Sequence, residues 1–206
     1  MGHSRRPLIA GRPCHLEQQV RTTLISLASS ALIAISAIAW ANVDIGPAIG
    51  TKISANFAAL DQTGTEMNFG DIAGKNGVVL SFVRSADWCP YCKQQMIDLQ
   101  TIAGDLNERG FTLATLSYDA PVVLRKFSKQ RDISYIMLSD EKSAMIDAFE
   151  LRDPAYKPES KAYGVPRASI FIISPDGVIR AKLAEESFRD RPQVEAVLAA
   201  VDGLTQ

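Results

Sequence analysis

From about residue 50 onward the chain alternates short apolar runs with stretches of helical periodicity, and that alternation predicts its elements. Asn42 to Gly50 is a short lead-in containing Pro47. Ile53 to Leu60 reads as an early strand ending at the turn-forming Asp61-Gln62-Thr63-Gly64, and Thr65 to Phe69 is placed to pair back on it. Val78-Val79-Leu80-Ser81-Phe82-Val83 is nearly continuous in its apolar character, the pattern of a strand buried on both faces, and is predicted to be the central parallel strand. At Pro90 the period becomes helical: Met96, Leu99, Ile102, Ala103 and Leu106 share one stripe, with Lys93, Gln94, Asp98, Asp105 and Glu108 elsewhere, and Gly110 closes the helix. Phe111 to Ser117 is a strand, Pro121 to Gln130 a helix opened by its proline, Tyr135 to Leu138 a strand and Ser143 to Phe149 a short helix. Arg152 to Lys161 is a polar loop with two prolines. Ile170 to Ile173 is a strand that Pro175-Asp176-Gly177 turns into Val178 to Leu183, and Pro192 to Val201 is a final amphipathic helix. Strands alternating with helices, then a hairpin and a helix, predict an α/β three-layer sandwich with a mixed central sheet.

The start of the chain follows another pattern. Four arginines (Arg5, Arg6, Arg12, Arg21) stand against one acid (Glu17), followed by an uncharged run from Thr22 to Ala41 that ends in Ala39-Trp40-Ala41. A basic region, an apolar run and a small-x-small end make a secretory signal, with cleavage expected after Ala41. The alternative is an uncleaved anchor, since Leu24 to Trp40 is near the upper limit for a signal and just long enough to cross a bilayer. On either reading residues 1–41 are a leader, residues 42–206 are one exported domain, periplasmic or secreted, and the membrane is involved only if the leader stays attached.

Setting the leader aside changes the chemistry available. It takes with it His3, His15 and Cys14, leaving Cys89 and Cys92 as the cysteines of a domain without histidine. That excludes Ser-His or Cys-His catalysis, a two-histidine metal helix and a four-ligand Cys/His zinc site. Removing a +3 leader from a chain of net charge −1 leaves the domain at −4, which argues against a nucleic-acid partner.

Trp88-Cys89-Pro90-Tyr91-Cys92-Lys93 falls between the buried strand and the helix, so Cys89 is expected at the helix N-terminus. The unpaired amides of a first turn favour thiolate over thiol, and the two-residue spacing puts Cys92 within disulfide reach. Cys89 is then the nucleophile and Cys92 the resolver. Pro90 at the first helical position removes an amide that had no acceptor, and Trp88 is expected to shield the pair while leaving the first sulfur exposed. A c-type haem needs a histidine where Lys93 stands, and zinc needs two further ligands. An inert disulfide is the structural alternative, though a bridge closing so short a loop is a poor staple. Arg84 is either a group that stabilises a thiolate or binds an anion, or a solvated charge at a strand end, and Asp87 is similarly two-sided. Val78 to Val83 contains no acid to accept a proton, so a carboxylate for that purpose has to come from elsewhere or be replaced by water.

Arg84-Ser85-Ala86-Asp87-Trp88-Cys89-Pro90-Tyr91-Cys92-Lys93, together with Leu116-Ser117-Tyr118-Asp119 and Tyr163-Gly164-Val165-Pro166, resembles the peroxiredoxin-like redoxins of the alkyl hydroperoxide reductase and thiol-specific antioxidant family. The likeness runs from about Asp44 to Val201. It implies a thioredoxin-like fold with a redox-active first cysteine and no cofactor. Arg84, Ser85 and Ala86 stand where peroxiredoxins place a proline and a threonine before the cysteine. The family's arginine near the apolar strand brings Arg167 forward, one step out of register, and the proline that faces the cysteines in thioredoxin-like oxidoreductases brings Pro166 forward, two residues early.

Two reactions use the same pair. In the first, Cys89 attacks a protein or small-molecule disulfide and Cys92 resolves the mixed intermediate. In the second, a hydroperoxide oxidises Cys89 to a sulfenic acid and Cys92 condenses with it. Each requires a thiol electron donor outside the cytoplasm. A third reading is a non-enzymatic redoxin scaffold whose Arg152–Lys161 loop binds a partner.

Overall fold

The computed structural model describes residues 44–205 apart from residue 55, so the leader, its cleavage point and any anchor lie outside the described residues. The elements are β1 (Ala58–Asp61), β2 (Glu66–Asn68), α1 (Phe69–Ile72), β3 (Gly77–Phe82), α2 (Pro90–Glu108), β4 (Phe111–Ser117), α3 (Pro121–Arg131), β5 (Ile136–Ser139), α4 (Ala144–Ala148), β6 (Ser169–Ile173), β7 (Ile179–Ala184) and α5 (Val194–Asp202).

The strands form one mixed sheet in the order β2-β1-β5-β4-β3-β6-β7. β3 is buried along its whole length, as its unbroken apolar run requires, and lies between β4, parallel to it, and β6, antiparallel. β4 and β5 are parallel, while β1 and β7 run antiparallel to their neighbours. Helices cover both faces, giving the α/β thioredoxin-like sandwich.

Period-two alternation divides the core between those faces. Val79, Ile170 and Ile172 point to the face covered by α2, α3 and α5, where they meet Met96, Leu99, Leu106, Leu124, Val197 and Val201. Val78, Leu80, Phe82, Phe171 and Ile173 point to the other face, against Ile72, Ile146 and Phe149. There Phe82 lies 4.7 Å from Phe149 and 5.8 Å from Phe171, centroid to centroid. Truncating a fully buried ring such as Phe171 costs about 3–5 kcal/mol. Gly77 opens β3 at φ +124°, and a Cβ there would collide with the carbonyl oxygen of Ile173 on the adjacent strand.

The early strand differs from expectation. Pairing begins at Ala58, not Ile53, because residues 50–53 spend their backbone bonds on the β6–β7 hairpin: Ile53 N–H donates to Gly177 O at 2.8 Å and Gly50 N–H to Ile179 O at 2.8 Å. The helix α1 has no counterpart in the sequence pattern, which carries the second strand to Phe69; the Asn68 and Asp71 side chains cap it by exchanging hydrogen bonds with each other's backbone N–H, and the other boundaries fall within two residues of the pattern. β3 ends and α2 begins at the C-terminal edge of the parallel strands, the edge at which open α/β sheets place their ligands.

Candidate active site

Val83 to Trp88 connect β3 to α2, and Cys89 is the N-cap of that helix, with Pro90 at its first position. The Cys89 sulfur accepts the Cys92 N–H at 3.2 Å, so the helix N-terminus is capped by the sulfur itself. Cys89 and Cys92 are joined in a disulfide, with Cα atoms 5.3 Å apart. On its other side Cys92 Sγ accepts the Arg84 backbone N–H and an Arg191 Nη2 hydrogen, each at 3.4 Å. Neither cysteine is exposed: Cys89 is 2% accessible and Cys92 0%. This corrects the expectation of an exposed first sulfur. Trp88 is 42% exposed, its indole N–H donating to Tyr118 Oη at 2.9 Å and its ring facing the Arg84 guanidinium.

Arg84 also departs from its solvated reading. It is 2% exposed, its guanidinium lying 4.4 Å from the Phe188 ring centroid, 5.1 Å from that of Tyr156 and 5.2 Å from that of Trp88. One Nη2 hydrogen goes to Tyr156 Oη, and Nε has no partner. A lone charge at a strand end is usually solvated, but here three rings from three parts of the chain close over it.

Asp119, just beyond β4, pins the connecting segment. Its carboxylate accepts Ser85 Oγ–H at 2.8 Å, Ala86 N–H at 2.6 Å and Ser117 Oγ–H at 2.9 Å. Burial pushes its pKa up, against the opposing pull of those three donors. This is the buried carboxylate that the strand before the motif lacks, but its bonds go to the segment carrying Cys89 and to none of the sulfurs.

Arg191, in the segment before α5, had no signal in the sequence, being 99 residues from the sulfur it touches. Its Nη1 donates to Asp190 O at 2.7 Å and to Phe188 O. Burial, then the neighbouring Arg84 charge, pushes its pKa down to about 10. No described ion pair involves Arg84 or Arg191, so the two guanidiniums beside the disulfide lack a carboxylate partner among the described residues.

Arg167 and Pro166 are placed differently from the resemblance. Arg167 Nη2 donates to Glu150 O at 3.1 Å and its backbone N–H to Leu151 O at 2.7 Å, while Pro166 pairs with Arg152 in an isolated bridge. None of their hydrogen bonds reaches a sulfur. The one-residue offset in register thus has a structural counterpart: the guanidinium at the cysteines comes from Arg191. Among the described residues no cluster of three or more His, Cys, Asp or Glu could hold a metal.

Chemically, the arrangement offers a reversible dithiol whose reduced form meets a helix N-terminus and a guanidinium, both of which favour thiolate. The comparisons with known proteins identify the family. Peroxiredoxin Bcp of Escherichia coli is 25% identical over 135 residues, 66% of this chain and 85% of that protein. Thiol-disulfide oxidoreductase ResA of Halalkalibacterium halodurans is 25% identical over 100 residues, 48% of this chain and 55% of that protein. The crystal structure of peroxidoxin BcpB from Mycobacterium tuberculosis has the same fold, with a TM-score of 0.65 and 21% identity over 78% of this chain and 98% of that one. The AhpC/TSA family model matches residues 49–182, a span that carries β1 through most of β7 and both cysteines. The chain therefore belongs to the AhpC/TSA family and is an oxidoreductase of the thioredoxin-like peroxiredoxin type.

Proposed function

We propose that the protein is a thiol peroxidase in which Cys89 reacts with a hydroperoxide and Cys92 resolves the product within the same helical turn. The observation that carries the reading is the buried Cys89–Cys92 disulfide, with Cys92 Sγ 3.4 Å from the Arg191 guanidinium. The Cys89 thiolate attacks the distal oxygen of ROOH; the O–O bond breaks, ROH leaves with a proton, and Cys89 is left as a sulfenic acid. The Cys92 thiolate then attacks the Cys89 sulfur, the S–O bond breaks, and hydroxide leaves as water after taking a proton. A thiol donor returns the disulfide to the dithiol. The basic and apolar leader favours a site of action outside the cytoplasm, with a donor located there.

Burial of both sulfurs favours a small oxidant over a protein disulfide, which must bring its own sulfur into line with Cys89. Disulfide exchange is the second reading, supported by the two-residue spacing of the cysteines and by the likeness to a thiol-disulfide oxidoreductase. Stopped-flow fluorescence separates them. With Trp40→Phe, Trp88 is the single tryptophan, and it adjoins Cys89. Hydrogen peroxide should change its emission in a fast second-order phase that Cys89→Ser abolishes, with a model protein disulfide slower by orders of magnitude. The reverse ranking would move the function to exchange.

A further inference from the structure

Gln95 lies one turn beyond Cys92 on α2 and is 3% exposed, yet neither its amide nitrogen nor its oxygen has a hydrogen-bond partner. Burying an unsatisfied amide costs on the order of 1–3 kcal/mol, so a native fold that leaves both atoms free at one side chain calls for an explanation. Arg191 Nε is also buried without a partner. The two residues share the lining of two adjoining clefts, of about 420 and 280 Å³. Both side chains thus line open space one helical turn from Cys92, although their unpartnered atoms are closed to solvent until the side chains turn. The clefts also share exposed Asp98, and the larger one adds exposed Asp190. At depth the cleft offers a cation and an amide donor; at the rim it offers the carboxylates of Asp98, Asp190, Glu185 and Glu195 with one further cation, Arg189. That pairing suits a carboxylate with an ammonium next to it.

We propose that this cleft binds the α-amino-carboxylate end of a small thiol, the reductant that reopens the Cys89–Cys92 disulfide. The inference rests on the thiol-driven return step of the proposed function. Turned into the cleft, the Arg191 guanidinium and the Gln95 amide hold the carboxylate, Asp98 and Asp190 hold the ammonium, and the turn of Arg191 off Cys92 Sγ uncovers the otherwise buried Cys92 side of the bridge for the thiol. The bound thiolate attacks Cys92 Sγ, the Cys89–Cys92 bond breaks, and its electron pair leaves on Cys89 Sγ, which already accepts the Cys92 N–H at 3.2 Å. A second thiolate attacks the ligand's sulfur and releases Cys92 as thiolate. Two thiols are oxidised to one small disulfide, the protein gains two electrons, and the two protons pass to the freed cysteines or to solvent as pH sets.

The test begins from the disulfide form and contains no peroxide, so it stands or falls apart from the peroxidase reading. Reduction is followed by Trp88 fluorescence in the full chain carrying Trp40→Phe, with free cysteine and with cysteamine, which lacks the carboxylate. Rates are compared per thiolate, because the two thiols differ in pKa. Cysteine should show saturation and an advantage over cysteamine of at least about ten-fold, which corresponds to one contact of about 1.4 kcal/mol. Serine, which fits the cleft but has no thiol, should inhibit competitively. Gln95→Leu and Gln95→Glu should each bring the cysteine advantage down toward one and abolish serine inhibition. A thermal melt confirms that each variant is folded, and Asp98→Asn on the exposed rim gives a partial loss that does not depend on a core substitution. Linear kinetics with cysteine and no inhibition by serine in the parent chain would overturn the proposal, as would an unchanged cysteine advantage in folded Gln95→Glu.

Discussion

The two walls of the active site are built by different means. One is local: residues 84–92 run from the end of β3 into α2 and are tied down by the buried Asp119 carboxylate through two short hydrogen bonds, from Ser85 Oγ–H and Ala86 N–H. The other is assembled from a distance by loops: Tyr156 and Phe188 close over Arg84 with ring centroids 5.1 and 4.4 Å from its guanidinium, and Arg191 reaches Cys92 Sγ at 3.4 Å. The local wall places the cysteines, and failure there should be felt throughout the fold. The distant wall sets the charge around them, and failure there should be felt in the chemistry.

Asp119→Ala offers the largest test of that division. It strips the acceptor from Ser85 Oγ, Ala86 N–H and Ser117 Oγ together. Buried donors left without acceptors cost about 1–3 kcal/mol, which for a domain of this size is a fall of several degrees in Tm. Peroxide reactivity should fall with it, because the segment carrying Cys89 loosens. The pH dependence has a definite sign. Since burial raises the Asp119 pKa above 3.8, the folded state binds this proton more tightly than the unfolded state does. The stabilising contribution is therefore complete below pH 3.8 and is lost as pH rises through the higher folded value. Denaturant melts from pH 3 to 7 should show this loss in the parent chain and a flatter profile in Asp119→Ala. A variant that melts like the parent and keeps its rate would mean that the local wall holds without its carboxylate.

Arg191→Met probes the distant wall and should act on rate more than on stability. Removing the cation beside Cys92 Sγ takes away a charge that favours the resolving thiolate. The resolving attack is then slower, and the Cys89 sulfenic acid should live about ten-fold longer at neutral pH, the scale of one nearby charge. Dimedone trapping after a peroxide pulse reads that lifetime directly. A lifetime unchanged across pH 5 to 9 would show that Arg191 only packs against the sulfur.

The same contrast separates what was legible in the sequence from what was not. Val78–Val83 announced the central strand by its unbroken apolar run, and the Met96, Leu99, Ile102 and Leu106 stripe announced α2, because burial on a periodic element leaves a periodic trace. The cysteine pair at the strand–helix junction was legible for the same reason. Arg84 was visible as a residue, but its burial was not, since the rings that enclose it come from positions 88, 156 and 188. Arg191 left no trace, because a cation in a loop carries no period and its sulfur partner is distant in sequence. Ile53 misled in the opposite sense: the apolar pattern begins the early strand there, but its backbone N–H goes to Gly177 O on the β6–β7 hairpin.

Arg167→Gln should have the smallest effect and sharpens the comparison most. Arg167 is the arginine that the family resemblance brings forward, whereas its guanidinium donates to the Glu150 carbonyl and touches neither sulfur. If charge at the sulfurs comes from the distant wall, removing this cation leaves the Cys89 peroxide rate and its pH profile within about two-fold of the parent chain, since the hydrogen bonds that Arg167 donates go to the Glu150 and Leu151 carbonyls and none to a sulfur. If instead the apparent thiol pKa rises as far as it does in Arg191→Met, Arg167 must swing toward Cys89 once the disulfide opens. The reduced site would then be rebuilt around a guanidinium that the oxidised form holds on the Glu150 carbonyl. Measuring both variants on the same reduced preparation, at the same ionic strength, decides which arginine the thiolate senses.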